Sequence, residues 1–243
     1  TVTLTATNTY TGGTLVNNGT LAVNGSLTAS AVTVVAGGTL AGTGSVATNV
    51  TVNAGGTIAP AGNGVLGTFT ILSNAFLNGT AAMDINSVTG TNDVLKAGAI
   101  TYGGTLAVTN LGAASLRSGA SFRLFNAGAY SGAFATLQLP SLWPGLSWNT
   151  SALNISGTIN VTGTIIPPQI GSTSVSGNAV TLSGAGGPAG ATYYVLESTN
   201  AALPLAQWTR VATNTFDGSG NFSWTGTPHV PVLPAAFYLI SAP

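Results

Sequence analysis

Polar and apolar residues alternate with period two over Thr1-Val2-Thr3-Leu4-Thr5-Ala6-Thr7, which predicts a strand with one face toward a core. No partner strand is evident beside it in the sequence. Further on, the apolar positions take up another rhythm: Leu15, Leu21 and Leu27 lie six residues apart with Asn-Gly pairs between them, and Leu40, Val46, Val52 and Ile58 keep that spacing. Short β-formers between Gly or Asn turns at this interval predict a coil. Its sides are a few residues long, and its inward residues stack from one turn to the next.

The strongest internal repeat is Gly-Gly-Thr followed by a branched apolar residue, at Gly12-Gly13-Thr14-Leu15, Gly37-Gly38-Thr39-Leu40, Gly55-Gly56-Thr57-Ile58 and Gly103-Gly104-Thr105-Leu106. The glycines supply a turn, and the Thr and its apolar neighbour favour a pleated strand. The Gly37 and Gly55 copies are 18 residues apart, so a coil of about 18 to 25 residues is expected. Up to residue 165 this predicts roughly seven to nine coils at the ~4.8 Å separation of neighbouring strands. Apolar residues do not recur at three and four, so helices are expected to be nearly absent.

Several segments carry a family resemblance. Asn8-Thr9-Tyr10-Thr11-Gly12-Gly13-Thr14 with Asn18-Gly19-Thr20-Leu21 resembles the autotransporter-associated β-strand repeat of bacterial passenger domains. So do Gly42-Thr43-Gly44-Ser45-Val46 and Val50-Thr51-Val52-Asn53-Ala54-Gly55-Gly56-Thr57-Ile58-Ala59-Pro60, which is similar to the segment that closes such repeats. Asn92-Asp93-Val94-Leu95, Tyr130-Ser131-Gly132-Ala133-Phe134 and Gly145-Leu146-Ser147-Trp148 resemble the segments that come after the closing one in these proteins. The resemblance implies a right-handed parallel β-helix exported to the bacterial cell surface.

Ile165-Ile166-Pro167-Pro168-Gln169 marks a proline-stiffened junction, since paired prolines cannot continue a sheet ladder. The expected division is a β-solenoid with its N-terminal strand over 1–166 and a second domain over 167–243. In the latter, strands are predicted around 172–176, 179–183, 191–198, 207–215, 221–225 and 236–242. That density of short strands suggests a small antiparallel sandwich of immunoglobulin-like or fibronectin-like type. Tyr194-Val195-Leu196-Glu197-Ser198, Gln207-Trp208-Thr209-Arg210-Val211, Gly220-Asn221-Phe222-Ser223 and Phe237-Tyr238 resemble a C-terminal module of secreted verrucomicrobial and planctomycete repeat proteins.

Composition narrows the function classes. Four basic and four acidic residues among 243 give a net charge of zero and only 3% charged residues, which leaves no electrostatic basis for holding nucleic acid or an anionic membrane. No run approaches the ~18 apolar residues of a membrane-spanning helix. Without Cys there is no disulfide or thiolate chemistry. The start at Thr1 without Met leads to the expectation of a processed, secreted product.

Candidate chemistry is sparse. Asp84 and Asp93 are the acids of the first domain, and a pair of carboxylates is what a glycosidase needs; turn carboxylates bonding backbone are the plainer reading. Glu197 and Arg210 are positioned to pair across strands. His229, in a proline-flanked loop, has no acid or nucleophile near it in sequence. Trp143 and Trp148 offer either a cap on the last coil or a platform for glycan stacking. The Gly-Gly-x-Gly-x-Asp calcium repeat is absent.

The expected protein is therefore all-β, a right-handed parallel β-helix followed by a small sandwich, without enzymatic activity, cofactor or metal. It is expected to be an extracellular structural protein that assembles head to tail with copies of itself into a fibre or surface layer. The candidate assembly interface is Val2, Leu4 and Ala6 on the first strand with Phe237 and Leu239 on the last. The alternative is a carbohydrate-binding surface adhesin using Trp143 and Trp148, with a surface polysaccharide as partner.

Overall fold

The computed structural model describes residues 1–228 and 235–241, and the chain divides into two compact units. The first comprises Thr1–Ala114, Gly119–Pro140 and Trp148–Thr162. Three strands recur there in chain order. The first tier is β1 (Val2–Leu4), β2 (Thr7–Asn8) and β3 (Thr14–Val16). The second is β4 (Gly19–Val23), β5 (Ser26–Leu27) and β6 (Val32–Val34), and the third β7 (Gly38–Gly42), β8 (Ser45–Val46) and β9 (Val50–Val52). From the fourth tier the last two strands merge: β10 (Thr57–Pro60) precedes β11 (Thr68–Leu77), and β12 (Thr80–Ile85) precedes β13 (Val94–Tyr102). The halves of β11 pair separately with β8 and β9 around a register shift between Ile71 and Asn74. Then come β14 (Thr105–Asn110), β15 (Ser121–Arg123), β16 (Phe125–Gly132) and β17 (Thr136–Gln138).

All pairing between tiers is parallel. One seven-stranded sheet has the order β1-β4-β7-β10-β12-β14-β17, and a nine-stranded sheet gathers the second and third strands of each tier. In the first sheet Val2, Leu21, Leu40, Ile58, Ala81, Leu106 and Leu137 lie side by side in register. The six-residue rhythm of the sequence marks successive sides of one tier: Leu40 lies on β7, Val46 on β8, Val52 on β9, and Ile58 returns to the first sheet on β10. All four are fully buried. There are six tiers plus β17, with three separate strands in each of the first three, fewer than the seven to nine expected, because the segments 61–67, 86–93 and 111–124 lengthen the later tiers.

Two expectations are corrected. The segment Thr1–Thr7 has a partner in its own chain, since β1 pairs in parallel with β4 through Val2↔Leu21, Thr3↔Ala22 and Leu4↔Val23. The Gly-Gly-Thr copies are also not equivalent. Those at Gly37, Gly55 and Gly103 lead into the first sheet, whereas the Gly12 copy leads into β3 on the other sheet and leaves Leu15 exposed. At Gly38 and Gly104 glycine is needed for close approach, because a Cβ would strike the carbonyl oxygens of Val16 and Gly79.

The end of this unit is closed differently from its start. Strand β18 (Leu146–Asn149), the short helix α1 (Leu153–Ser156) and β19 (Thr158–Gly163) come after β17, and β15, β19 and β18 form a three-stranded sheet in which Phe122 lies opposite Ile159. Helix α1 stops at Gly157, whose left-handed backbone ends it after one turn.

The second unit comprises Ser115–Ser118, Ser141–Ser147 and the chain from Gly163 onward, so its boundary falls a few residues before the proline pair and it recruits two earlier segments. It contains β20 (Gln169–Ser176), β21 (Ala179–Ala185), β22 (Thr192–Ser198), β23 (Thr209–Thr215), β24 (Asn221–Gly226) and β25 (Phe237–Ser241). These form two antiparallel sheets, β20-β21-β24 and β23-β22-β25. Leu182 and Phe222 from one sheet and Tyr193, Val195 and Ile240 from the other share a core with Phe216 and Trp143. Among the described residues no helix is long and apolar enough to cross a membrane.

The columns make a stability prediction. Ile58→Ala is expected to cost about 2–5 kcal/mol, because the hole sits between Leu40 and Ala81 in a fixed ladder. Leu15→Ala, at a position 63% exposed, is expected to change stability by less than about 0.5 kcal/mol. Urea denaturation of both variants measures the contrast.

Candidate functional site

The functional candidates are the strand edges that pairing leaves over. β1 is the outermost strand of the first sheet at one end and β17 at the other. On β1 the Leu4 carbonyl accepts from the amides of Asn24 and Gly25, so Leu4, and by alternation Val2, bonds toward β4. The amide and carbonyl of Thr3 therefore point away from the sheet. The register position that is wholly buried at Leu40, Ile58, Ala81 and Leu106 is 61% exposed at Val2 and 42% exposed at Leu137. Leu4 is half-buried and Ala6 exposed.

The far end of the second sheet is covered. Asn154 donates its side-chain amide to the Gly132 carbonyl at 2.9 Å, and the Gly157 carbonyl accepts from the amides of Leu124 and Phe125 at 3.0 and 3.1 Å. The Tyr102 hydroxyl donates to the Leu153 carbonyl at 3.1 Å. Tyr102 also meets Phe125 edge-on at 5.2 Å and Phe134 at 4.6 Å between ring centroids. Beside β17 a cavity of about 210 Å³ remains, lined by Tyr102, Phe134, Leu137, Leu153 and Asn154 among others. Sequence reasoning missed this end. Its signal was the Thr-Leu pair at Thr136-Leu137, which repeats Thr20-Leu21, Thr39-Leu40 and Thr105-Leu106 without the preceding glycines.

Asp84 and Asp93 are brought together, and both are buried. Asp84 Oδ2 accepts from the Gly64 amide at 2.6 Å, while Asp93 Oδ1 accepts from Gly67 and Oδ2 from the Asp84 amide, both at 2.8 Å. They fasten the inserted loop 61–67 to the end of β12. These are long-range contacts, unlike the self-bonding turn carboxylates expected. Burial pushes the Asp93 carboxyl up to about 7; the amides of Asp84 and Gly67 oppose the rise and the charge of Asp84 adds to it. Among the described residues, no three of His, Cys, Asp or Glu come close enough to hold a metal.

The remaining candidates separate. Trp143 is 3% exposed and packs edge-on against Phe216 at 5.8 Å in the core of the second unit, so it has no open ring face for a glycan. Trp148 is half-buried, donates its indole N–H to the Pro140 carbonyl at 2.9 Å, and approaches Phe122. Phe237 is 40% exposed on β25, the outer strand of its sheet, whereas Leu239 is half-buried and lines a cavity of about 320 Å³ with Arg117, Trp143 and Pro167. Glu197 and Arg210 lie on different faces. Glu197 is buried and accepts from the Tyr238 hydroxyl at 3.1 Å, while exposed Arg210 sits 4.6 Å from the centroid of the Tyr194 ring. The bulge between Val195 and Leu196 shifts the register so that Arg210 faces Leu196. His229 lies outside the described residues.

No protein-family model matches the chain, and no curated protein matches it either.

The Asp93 clasp gives a pH prediction. With its folded pKa raised from 3.8 to about 7, Asp93 contributes stability that is fully present below about pH 4 and is lost as pH rises through 7. Asp93→Asn is expected to lower stability at pH 5 by about 1–3 kcal/mol, because its amide faces one of the two backbone donors. It is also expected to flatten the fall in unfolding free energy between pH 5 and pH 8. Urea titrations at the two pH values check both effects.

Proposed function

We propose that this chain is a non-enzymatic extracellular structural protein that assembles with copies of itself through the open edges of its first unit. In this reading the tiers form a right-handed β-solenoid, and the second unit is a small immunoglobulin-like or fibronectin-like sandwich. The observation that carries it is the outer edge of β1, which presents the backbone of Thr3 and a 61% exposed Val2 at a register position wholly buried at Leu40, Ile58, Ala81 and Leu106. An uncovered strand edge is a template for another chain. A fibre or surface layer at the bacterial cell exterior is the product of open-ended contact of that kind.

The near-absence of charge supports the same reading. Lysine and other charges are a common guard against edge-to-edge pairing, and the first tier, Thr1 to Val16, has none. With four acidic and four basic side chains in all, copies repel one another weakly. The polysaccharide reading would need stacking rings other than Trp143, whose faces are enclosed.

Removal of residues 1–7 is one test, but it turns β4 into a new edge that can substitute. Thr3→Pro is sharper. It removes the outward amide while leaving the β4-facing carbonyl of Leu4 in place, and proline is tolerated on an edge strand. Electron microscopy and sedimentation are expected to show assemblies of the parent chain and their loss in Thr3→Pro. Assemblies unchanged in number and length would overturn the proposal.

A further inference from the structure

The geometry points to a specific joint: β1 of one copy adds in parallel to β17 of the next, with Val2 beside Leu137, so that the first sheet runs on from copy to copy. This rests on the self-assembly reading above and names the surface that receives the strand. Three observations lead to it.

The first is polarity. Every strand in the β1-to-β17 sheet is parallel to its neighbours, so translation of a second copy along the stacking direction brings its β1 to the free side of β17 in the orientation already used within the sheet. Pairing of two β1 edges through a two-fold axis would make them antiparallel. Joining β1 to β17 is heterologous and leaves a fresh edge at each end.

The second is register. Apolar side chains occupy one position on all seven strands, and the Thr before it recurs at Thr20, Thr39, Thr57, Thr80, Thr105 and Thr136. Thr1-Val2 carries the same pair. Setting Val2 beside Leu137 repeats the spacing of the preceding strands and covers the two members of the column that are more than two-fifths exposed.

The third is shape. The end of the nine-stranded sheet is occupied by Gly157 and Asn154, so a second copy cannot extend it strand by strand. β17 is exposed along its length, and the cavity of about 210 Å³ beside it has Tyr102, Phe134 and Leu153 in its walls. An apolar side chain entering beside Leu137 meets aromatic carbon there. The contact is therefore one strand wide, and the fraction of chains assembled through it is expected to depend strongly on protein concentration. β25 is the competing receiver, with Phe237 exposed on an outer strand, but its sheet is antiparallel and lacks the repeated Thr-apolar column.

Disulfide trapping tests the joint in a chain that contains no Cys of its own. Register partners in neighbouring parallel strands have Cα atoms about 4.8 Å apart, inside the span a disulfide bridges. Val2→Cys and Leu137→Cys are made as separate full-length variants, each checked for wild-type thermal unfolding, then mixed and mildly oxidised. A Val2→Cys/Leu137→Cys cross-linked pair is expected to dominate, with reversal by reductant and confirmation by peptide mapping. The double variant is expected to give a ladder of covalent oligomers.

Dominant dimers of Val2→Cys alone would overturn the joint in favour of a two-fold contact. Dominant dimers of Val2→Cys with Phe237→Cys would overturn it in favour of β25. Sedimentation of the parent chain separates the joint from self-assembly as such. Assembly without the Val2–Leu137 link overturns the joint and leaves self-assembly standing, whereas a monomer at every concentration overturns both.

Discussion

Parallel hydrogen bonding of each strand to its counterpart in the next tier is the interaction on which the first unit depends. Register is the strict part of that interaction. A slip of one residue would send Leu40, Ile58 and Leu106 to the outer face and their Thr neighbours into the core. The chain meets this demand by repeating a Thr-apolar pair at the start of each strand, and by using glycine where the backbone of one tier presses against the next. Gly38 against Val16 and Gly104 against Gly79 mark such contacts. With so few charged side chains, specificity of stacking rests on shape and hydrogen bonding, and both are supplied mainly by the backbone.

The tier repeat was legible because its period is written in residue types of plain physical meaning. Leu40, Val46 and Val52 at six-residue intervals mark the three sides of one tier, and Ile58 begins the next. All four are fully buried. The strands of the second unit were legible for a related reason, since Gly177-Asn178 and the glycines at 184, 186, 187 and 190 punctuate the runs now seen as β20, β21 and β22. What escaped was anything decided by long-range pairing. Leu15 keeps the rhythm but falls on a strand where it points to solvent. Trp143 lies close in sequence to Trp148, yet joins the core of the second unit because Ser141–Ser147 is drawn into it. Leu137 lacks the glycine pair and so lacked the visible mark of its register.

The inserted loops show how departures from the repeat are stabilised. Loop 61–67 interrupts the fourth tier, and its amides at Gly64 and Gly67 are received by the only two acidic residues of the first 196. Burying a carboxylate is costly unless donors compensate it, so these acids are useful where backbone amides would otherwise be left without partners. Asp93 serves both the loop and the Asp84 amide and thereby links the insertion to the strand after it. The scarcity of acids elsewhere sharpens the point: acidic side chains appear inside this unit where an irregular backbone must be tied down, and are missing from the rest of it.

The two ends of the unit then differ for a physical reason. Aromatic side chains at Tyr102, Phe125, Tyr130 and Phe134 accumulate near the last tier, and the turn of helix carrying Leu153 closes over them with the Tyr102 hydroxyl as its tether. That closure satisfies backbone groups of β16 but does not reach across to β17, whose three residues remain exposed. At the first tier no comparable aromatic group is present; Tyr10 is spent on a hydroxyl contact with Thr14 at 2.7 Å. In the proposed joint, a ladder capped on one side of its far end and open along the other is extended by a single strand without rearranging its core. The Thr-Val pair at its beginning has the residue types that the ladder repeats at every step.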